Sequence, residues 1–108
     1  MCAYLCYTIR NLEQLLMVAD FSLACSLESI KGSWDPFDGR IHLSRPHYGQ
    51  AVSAARVLEL VKGSDIRRDD VESSRIQDSY SFRFSPQVHG PIIELIRETR
   101  RILEIEIN

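Results

Sequence analysis

The sequence predicts an α+β domain in which a three- to five-stranded, mainly antiparallel sheet carries helices on one face. Three observations lead there. In residues 80–84 the aromatics Tyr80, Phe82 and Phe84 alternate with Ser81 and Arg83, the period-2 pattern of a half-buried strand. Beyond Ser85-Pro86 the period becomes helical, with Ile92, Leu95, Ile96, Thr99, Ile102 and Leu103 on one face and Glu94, Arg97, Glu98 and Arg101 opposite. The stretch 32–39, Gly-Ser-Trp-Asp-Pro-Phe-Asp-Gly, is the strongest turn signal in the chain, and segments that read as strands flank it.

Taken in order, residues 2–9 are aromatic and β-branched, lack Gly, Pro and Asp, and read as a central strand, apolar on both sides. Asn11 then offers a helix cap, Gln14 can reach back to it as in a capping box, and Leu12, Leu15, Leu16 and Ala19 form the buried face. Residues 21–30 fit either period. As a helix they would stop at Lys31-Gly32 but leave Phe21 on the polar side. As a strand, Phe21, Leu23, Cys25 and Leu27 alternate with polar or small residues, and the strand is preferred because three serines lower helix propensity.

Residues 40–44 alternate with Ile41 and Leu43 inward, which pairs them with the preceding strand as a hairpin. Ser44-Arg45-Pro46 opens a helix with Tyr48, Ala51, Ala54, Ala55, Leu58 and Val61 on one face and Gly63 just past its end. Residues 64–79 hold only Ile66, Val71 and Ile76 as large apolar residues and read as a solvated connection. The strand at 80–84 and the helix after it follow, and 103–107 alternate as a short terminal strand. The first six elements have the βαββαβ order of a ferredoxin-like split motif, followed by a C-terminal helix. All of residues 1–108 are expected in one domain, large enough to bury most of its apolar surface.

Composition narrows the function classes. With 44% hydrophobic and 26% charged residues the chain is neither disordered nor fibrous. A net charge of −2 supplies no field to hold a polyanion, which argues against general nucleic-acid binding. The odd cysteine count of Cys2, Cys6 and Cys25 points to reduced thiols in the cytoplasm. Ser22-Leu23-Ala24-Cys25 resembles a lipoprotein box only superficially, because Glu13 and Asp20 interrupt the apolar run before it. No uncharged run is long enough to span a membrane.

The motifs for chemistry are sparse. The three histidines, His42, His47 and His89, are the residues that titrate near neutrality unaided, yet no spacing supplies them with a partner. Cys2 and Cys6 lack the second pair that a zinc site needs, and the five glycines form no phosphate-cradling loop, so neither a metal nor another cofactor is expected. What stands out is a pair of large aromatics on one turn.

The leading expectation is therefore a non-catalytic module that binds another protein, of the inhibitor or immunity and anti-defence kind, and a homo-oligomer is compatible with it. Its surface would comprise Trp34, Asp35 and Phe37 of the turn with Arg67 and Arg68 of the polar connection. Two alternatives stand beside it. One is a small enzyme using His42 or His47. The other is a nucleic-acid-binding domain presenting Phe82, Phe84 and Arg83 on an open sheet.

Overall fold

A computed structural model describes residues 1–66 and 77–108, and among them every regular element is helical. The helices are α1 (Cys2–Ser29), α2 (Gly39–Leu43), α3 (Tyr48–Leu60), α4 (Tyr80–Arg83) and α5 (Ser85–Ile107), with one 3₁₀ turn at Asp35–Phe37. The expected α+β sheet is thus overturned: no strand exists among the described residues.

The reason lies in which residues are buried. Along α1 these are Ile9, Leu16, Asp20, Leu23 and Leu27, at intervals of seven, four, three and four, with Ala24 beside Leu23; they trace one side of a helix and match no strand parity. The β-prone residues 2–9 are absorbed into this 28-residue helix, since side-chain packing outweighs a weak local preference. The Asn11 cap is bypassed. Of the two readings of residues 21–30, the helical one is what forms. It ends in Lys31, held in the left-handed region at φ 50°, with the Gly32 N–H donating to the Leu27 carbonyl at 2.8 Å. Phe21 is left exposed, as that reading requires.

The segment at 40–44 is likewise a helix. The Asp38 carboxylate accepts the Arg40 N–H at 2.9 Å and caps α2, which buries His42 while Ile41 and Leu43 face outward, the reverse of the hairpin expectation. The supposed terminal strand is the last stretch of α5, and Leu103 is buried there while Ile105 is not.

Two expected helices coincide with α3 and α5, although the buried face of α3 is rotated. It presents Gly49, Gln50, Ser53, Ala54 and Val57 to the interior and leaves Tyr48, Ala51 and Ala55 exposed. Helices α1 and α5 run antiparallel, as shown by Asp20 lying opposite His89 and Glu13 opposite Arg100. Their apolar contact is Ile9, Leu16, Ile96 and Leu103. A second core joins α1, α3 and the 3₁₀ turn through Leu23, Leu27, Phe37, Ala54 and Val57, with Phe82 packed against it. Helix α3 meets α5 at paired glycines: a Cβ on Gly49 would stand 2.0 Å from the Gly90 carbonyl oxygen, so side chains are excluded there.

Candidate functional site

Three polar constellations lie on this frame. The first is centred on Asp20, whose side chain is wholly buried in the middle of α1. Its carboxylate accepts the Ser53 hydroxyl at 2.7 Å and the Arg56 guanidinium at 2.8 Å, both from α3, and pairs with His89 Nδ1 of α5 at 2.8 Å. A buried carboxylate without partners would be strongly unfavourable, and these donors satisfy it from two neighbouring helices. The arrangement bolts three helices together. It is no hydrolytic triad, because the serine is bonded to the aspartate and not to the histidine.

The second constellation is His42 with Gln50. The Gln50 amide nitrogen lies 2.8 Å from His42 Nδ1, and as its donor it leaves the ring proton on Nε2, which is buried without a partner among the described residues. Burial pushes the imidazole below the usual histidine value, toward its neutral form. His42 is 2% exposed, and His47 is exposed at the N-cap position of α3. Asp38 beside them is held at about 2, chiefly by the hydrogen bond from the Arg40 side chain.

The third is the segment 77–84. Tyr80 and Phe84, four residues apart on one turn of helix, stack with ring centroids 4.0 Å apart. Arg83 donates to the Gln77 side-chain oxygen at 2.6 Å, and its guanidinium lies 5.5 Å from the Phe84 ring centre. Tyr80 is 70% exposed. The helix continuing from this turn begins with Ser85-Pro86, proline being suited to the first turn, and the Ser85 hydroxyl closes back on the Phe82 carbonyl at 2.8 Å. Phe84 also borders a cleft of about 620 Å³ whose wall includes Arg45, His47, Gln50, Gln87 and Glu94. The Gln87 side-chain oxygen is buried without a partner among the described residues.

Of the five residues expected at the interface, the structure describes Trp34, Asp35 and Phe37. Phe37 is 1% exposed and belongs to the second core, so it cannot serve as a partner's anchor without leaving it. Trp34 is half-buried against Phe37 at 6.4 Å between ring centres. Asp35 is exposed, its carboxylate accepting the Ser33 hydroxyl at 2.9 Å. Arg67 and Arg68 lie outside the described residues. The open sheet for a nucleic acid does not form, since Tyr80, Phe82 and Arg83 sit on a helical turn with Phe82 inward. Among the described residues no group of three or more His, Cys, Asp or Glu side chains is placed to hold a metal ion. Nor is any helix of theirs long and apolar enough to cross a membrane.

The aromatic amino acid lyase family model matches residues 1–108, the whole chain. The chain belongs to the aromatic amino acid lyase family. Similar proteins include the histidine ammonia-lyase of Myxococcus xanthus (strain DK1622), 41% identical over 108 residues, which are 100% of this chain and 21% of that one. That of Treponema denticola is 42% identical over 103 residues, 93% of this chain and 19% of the relative. That of Caldanaerobacter subterraneus subsp. tengcongensis is 38% identical over 105 residues, 95% of this chain and 20% of the relative. The chain thus spans about one fifth of the length of these relatives. No solved structure matches it.

Membership of a lyase family overturns the expectation of a non-catalytic inhibitor or immunity-type binder. That expectation rested on a lack of recognisable catalytic spacing, and the findings favour the alternative of an enzyme over it; the aromatics of 80–84 were read as a strand, whether half-buried or as an open nucleic-acid surface, and not as a helical turn. The signal available was the four-residue interval between Tyr80 and Phe84, which stacks two rings on a helix as readily as alternation shares a strand face.

Proposed function

We propose that the chain forms part of an ammonia-lyase acting on an aromatic α-amino acid, histidine first among them, and that the segment 77–84 faces the substrate. The observation that carries this reading is the grouping of Tyr80, Arg83 and Phe84 on an accessible turn, with Phe84 shared between that turn and the adjoining cleft. Loss of ammonia from an α-amino acid breaks the Cα–N bond and removes a proton from Cβ. A site for it needs a cation for the carboxylate, a face for the ring and groups that move protons. Arg83 offers a guanidinium fork for the carboxylate, the Phe84 ring a stacking face and the Tyr80 hydroxyl a proton donor or acceptor.

Since the chain spans about a fifth of its relatives, further polypeptide would complete the site and cover the exposed turn. A cytoplasmic setting is supported by the unpaired thiols of Cys2, Cys6 and Cys25.

The test is a chimera in which this sequence replaces the aligned 108-residue stretch of the Myxococcus xanthus relative. Release of ammonia from histidine is expected, and Arg83→Ala should raise KM about 10- to 100-fold, as loss of a charge-assisted pair does. A chimera that folds by circular dichroism but releases no ammonia from histidine, phenylalanine or tyrosine would refute the reading.

A further inference from the structure

Where α1 ends, the chain makes a turn whose outward N–H is put to use 45 residues later. Lys31 in the left-handed region and Gly32, bonded to the Leu27 carbonyl, aim the Ser33 N–H at Asp78, whose Oδ2 accepts it at 2.6 Å. Asp78 is 9% exposed. The missing side chain of Gly32 admits this carboxylate: a Cβ there would lie 3.3 Å from Asp78 Oδ2 and 2.8 Å from Leu27 Cδ2. The location is electrostatically adverse, because the C-terminal end of a helix favours cations. This carboxylate stands directly between Gln77, the partner of Arg83, and Ser79, which precedes Tyr80, so its bond to Ser33 fixes where that segment begins.

We propose that Asp78 is the positioning residue of the segment 77–84, docked into a socket formed by Gly32 and Ser33. The inference rests on the reading of that segment as substrate-facing. Asp78 fixes the start of the segment, Phe82 packs its middle on the core and Ser85 closes its end. Tyr80 and Arg83 are held outward between those three fixed points, with Gln77 at a set distance from the guanidinium. Gly32, remote in sequence, is part of the same device.

The test reads geometry in the 108-residue chain and function in the chimera. In the chain, aromatic proton NMR follows Tyr80 and Phe84, whose stacked rings shift each other's resonances. Asp78→Ala and Gly32→Ala are each expected to move both sets toward free-ring positions, whereas Asp78→Asn, which retains an acceptor, leaves them in place. Leu103→Ala, in the distant core, serves as the control that lowers the unfolding midpoint without moving them. In the chimera Asp78→Ala is expected to raise KM for histidine about 10-fold or more, as a misplaced binding group does. Ring resonances unmoved by Asp78→Ala, moved by Asp78→Asn as far as by Asp78→Ala, or moved as far by Leu103→Ala, would overturn the proposal. An inactive parent chimera would instead sink the lyase reading, while the ring resonances still judge Asp78.

Discussion

Replacing Gly49 with alanine tests the crossing on which the whole arrangement depends. The added methyl would stand 2.0 Å from the Gly90 carbonyl oxygen and 2.8 Å from its carbon, both backbone atoms of the facing helix. No rotamer change relieves such a clash. Ordinary contact needs 3.4 Å or more, so the axes of α3 and α5 must separate by more than an ångström. Separation would loosen Ser53, Ala54 and Val57 from the interior and lengthen the 3.0 Å bond from the Gly49 N–H to Glu94 Oε1. Overpacking a core by a methyl group costs roughly 1 to 3 kcal/mol, and an unyielding backbone contact places Gly49→Ala at about 3 kcal/mol or above. Gly90→Ala is hindered by the Gln50 N–H at 2.5 Å and separates the same two helices. The double variant should therefore cost less than the sum of the two single ones. Gly39→Ala is the control, since a Cβ there meets nothing within 4 Å, and it should stay within about 0.5 kcal/mol of the parent. Urea unfolding followed by far-UV circular dichroism measures all four. A Gly49→Ala change below about 1 kcal/mol would refute the close crossing of α3 and α5.

Two further predictions address the buried polar groups. Asp20→Ala strands Ser53, Arg56 and His89 without their acceptor and should destabilise by about 3 to 5 kcal/mol, whereas Ser53→Ala removes one bond and should cost about 1 kcal/mol; equal urea midpoints for the two variants would contradict the network. For His42 the folded protein disfavours the proton while the unfolded chain accepts it near pH ~6.5, so stability is full above that value and falls as pH is lowered below it. His42→Gln should flatten the fall measured between pH about 7.5 and 5.5, and an unchanged slope would show that the imidazole is not held neutral.

How far the sequence revealed the fold depended on charge. Helix α5 was legible as a helix because charged residues interrupt its apolar run at helical spacing, but of the face expected inward only Ile96 and Leu103 are buried, while Ile92, Leu95 and Ile102 are exposed and Glu94 turns to the Gly49 N–H. Helix α3 was legible in extent, but of the face expected inward Tyr48, Ala51 and Ala55 are exposed, and the close glycine contact with α5 sets its rotation instead. Residues 40–44 misled because alternation in five residues cannot be told from one helical turn when the cap, here Asp38, lies outside the window. At the candidate site, Asp78 was unreadable for a different reason: its partner is a backbone N–H far away in sequence, which no side-chain pattern announces.

Helix α1 was the largest miss, and the cause is itself informative. Its outer line runs through Tyr4, Tyr7, Asn11, Leu15, Val18, Ser22 and Cys25, all exposed and none charged. Without a polar face the helix has almost no amphipathic contrast, and a moment-based reading then falls back on local composition, which in residues 2–9 favours strand. A helix face lined by large uncharged residues ordinarily packs against protein. Here α3 and α5 occupy one side only. The outer line of α1 is therefore left open by the described residues of this chain, which spans about one fifth of the length of its relatives. Periodicity measured within one segment is thus a poor guide wherever the solvent boundary lies on another.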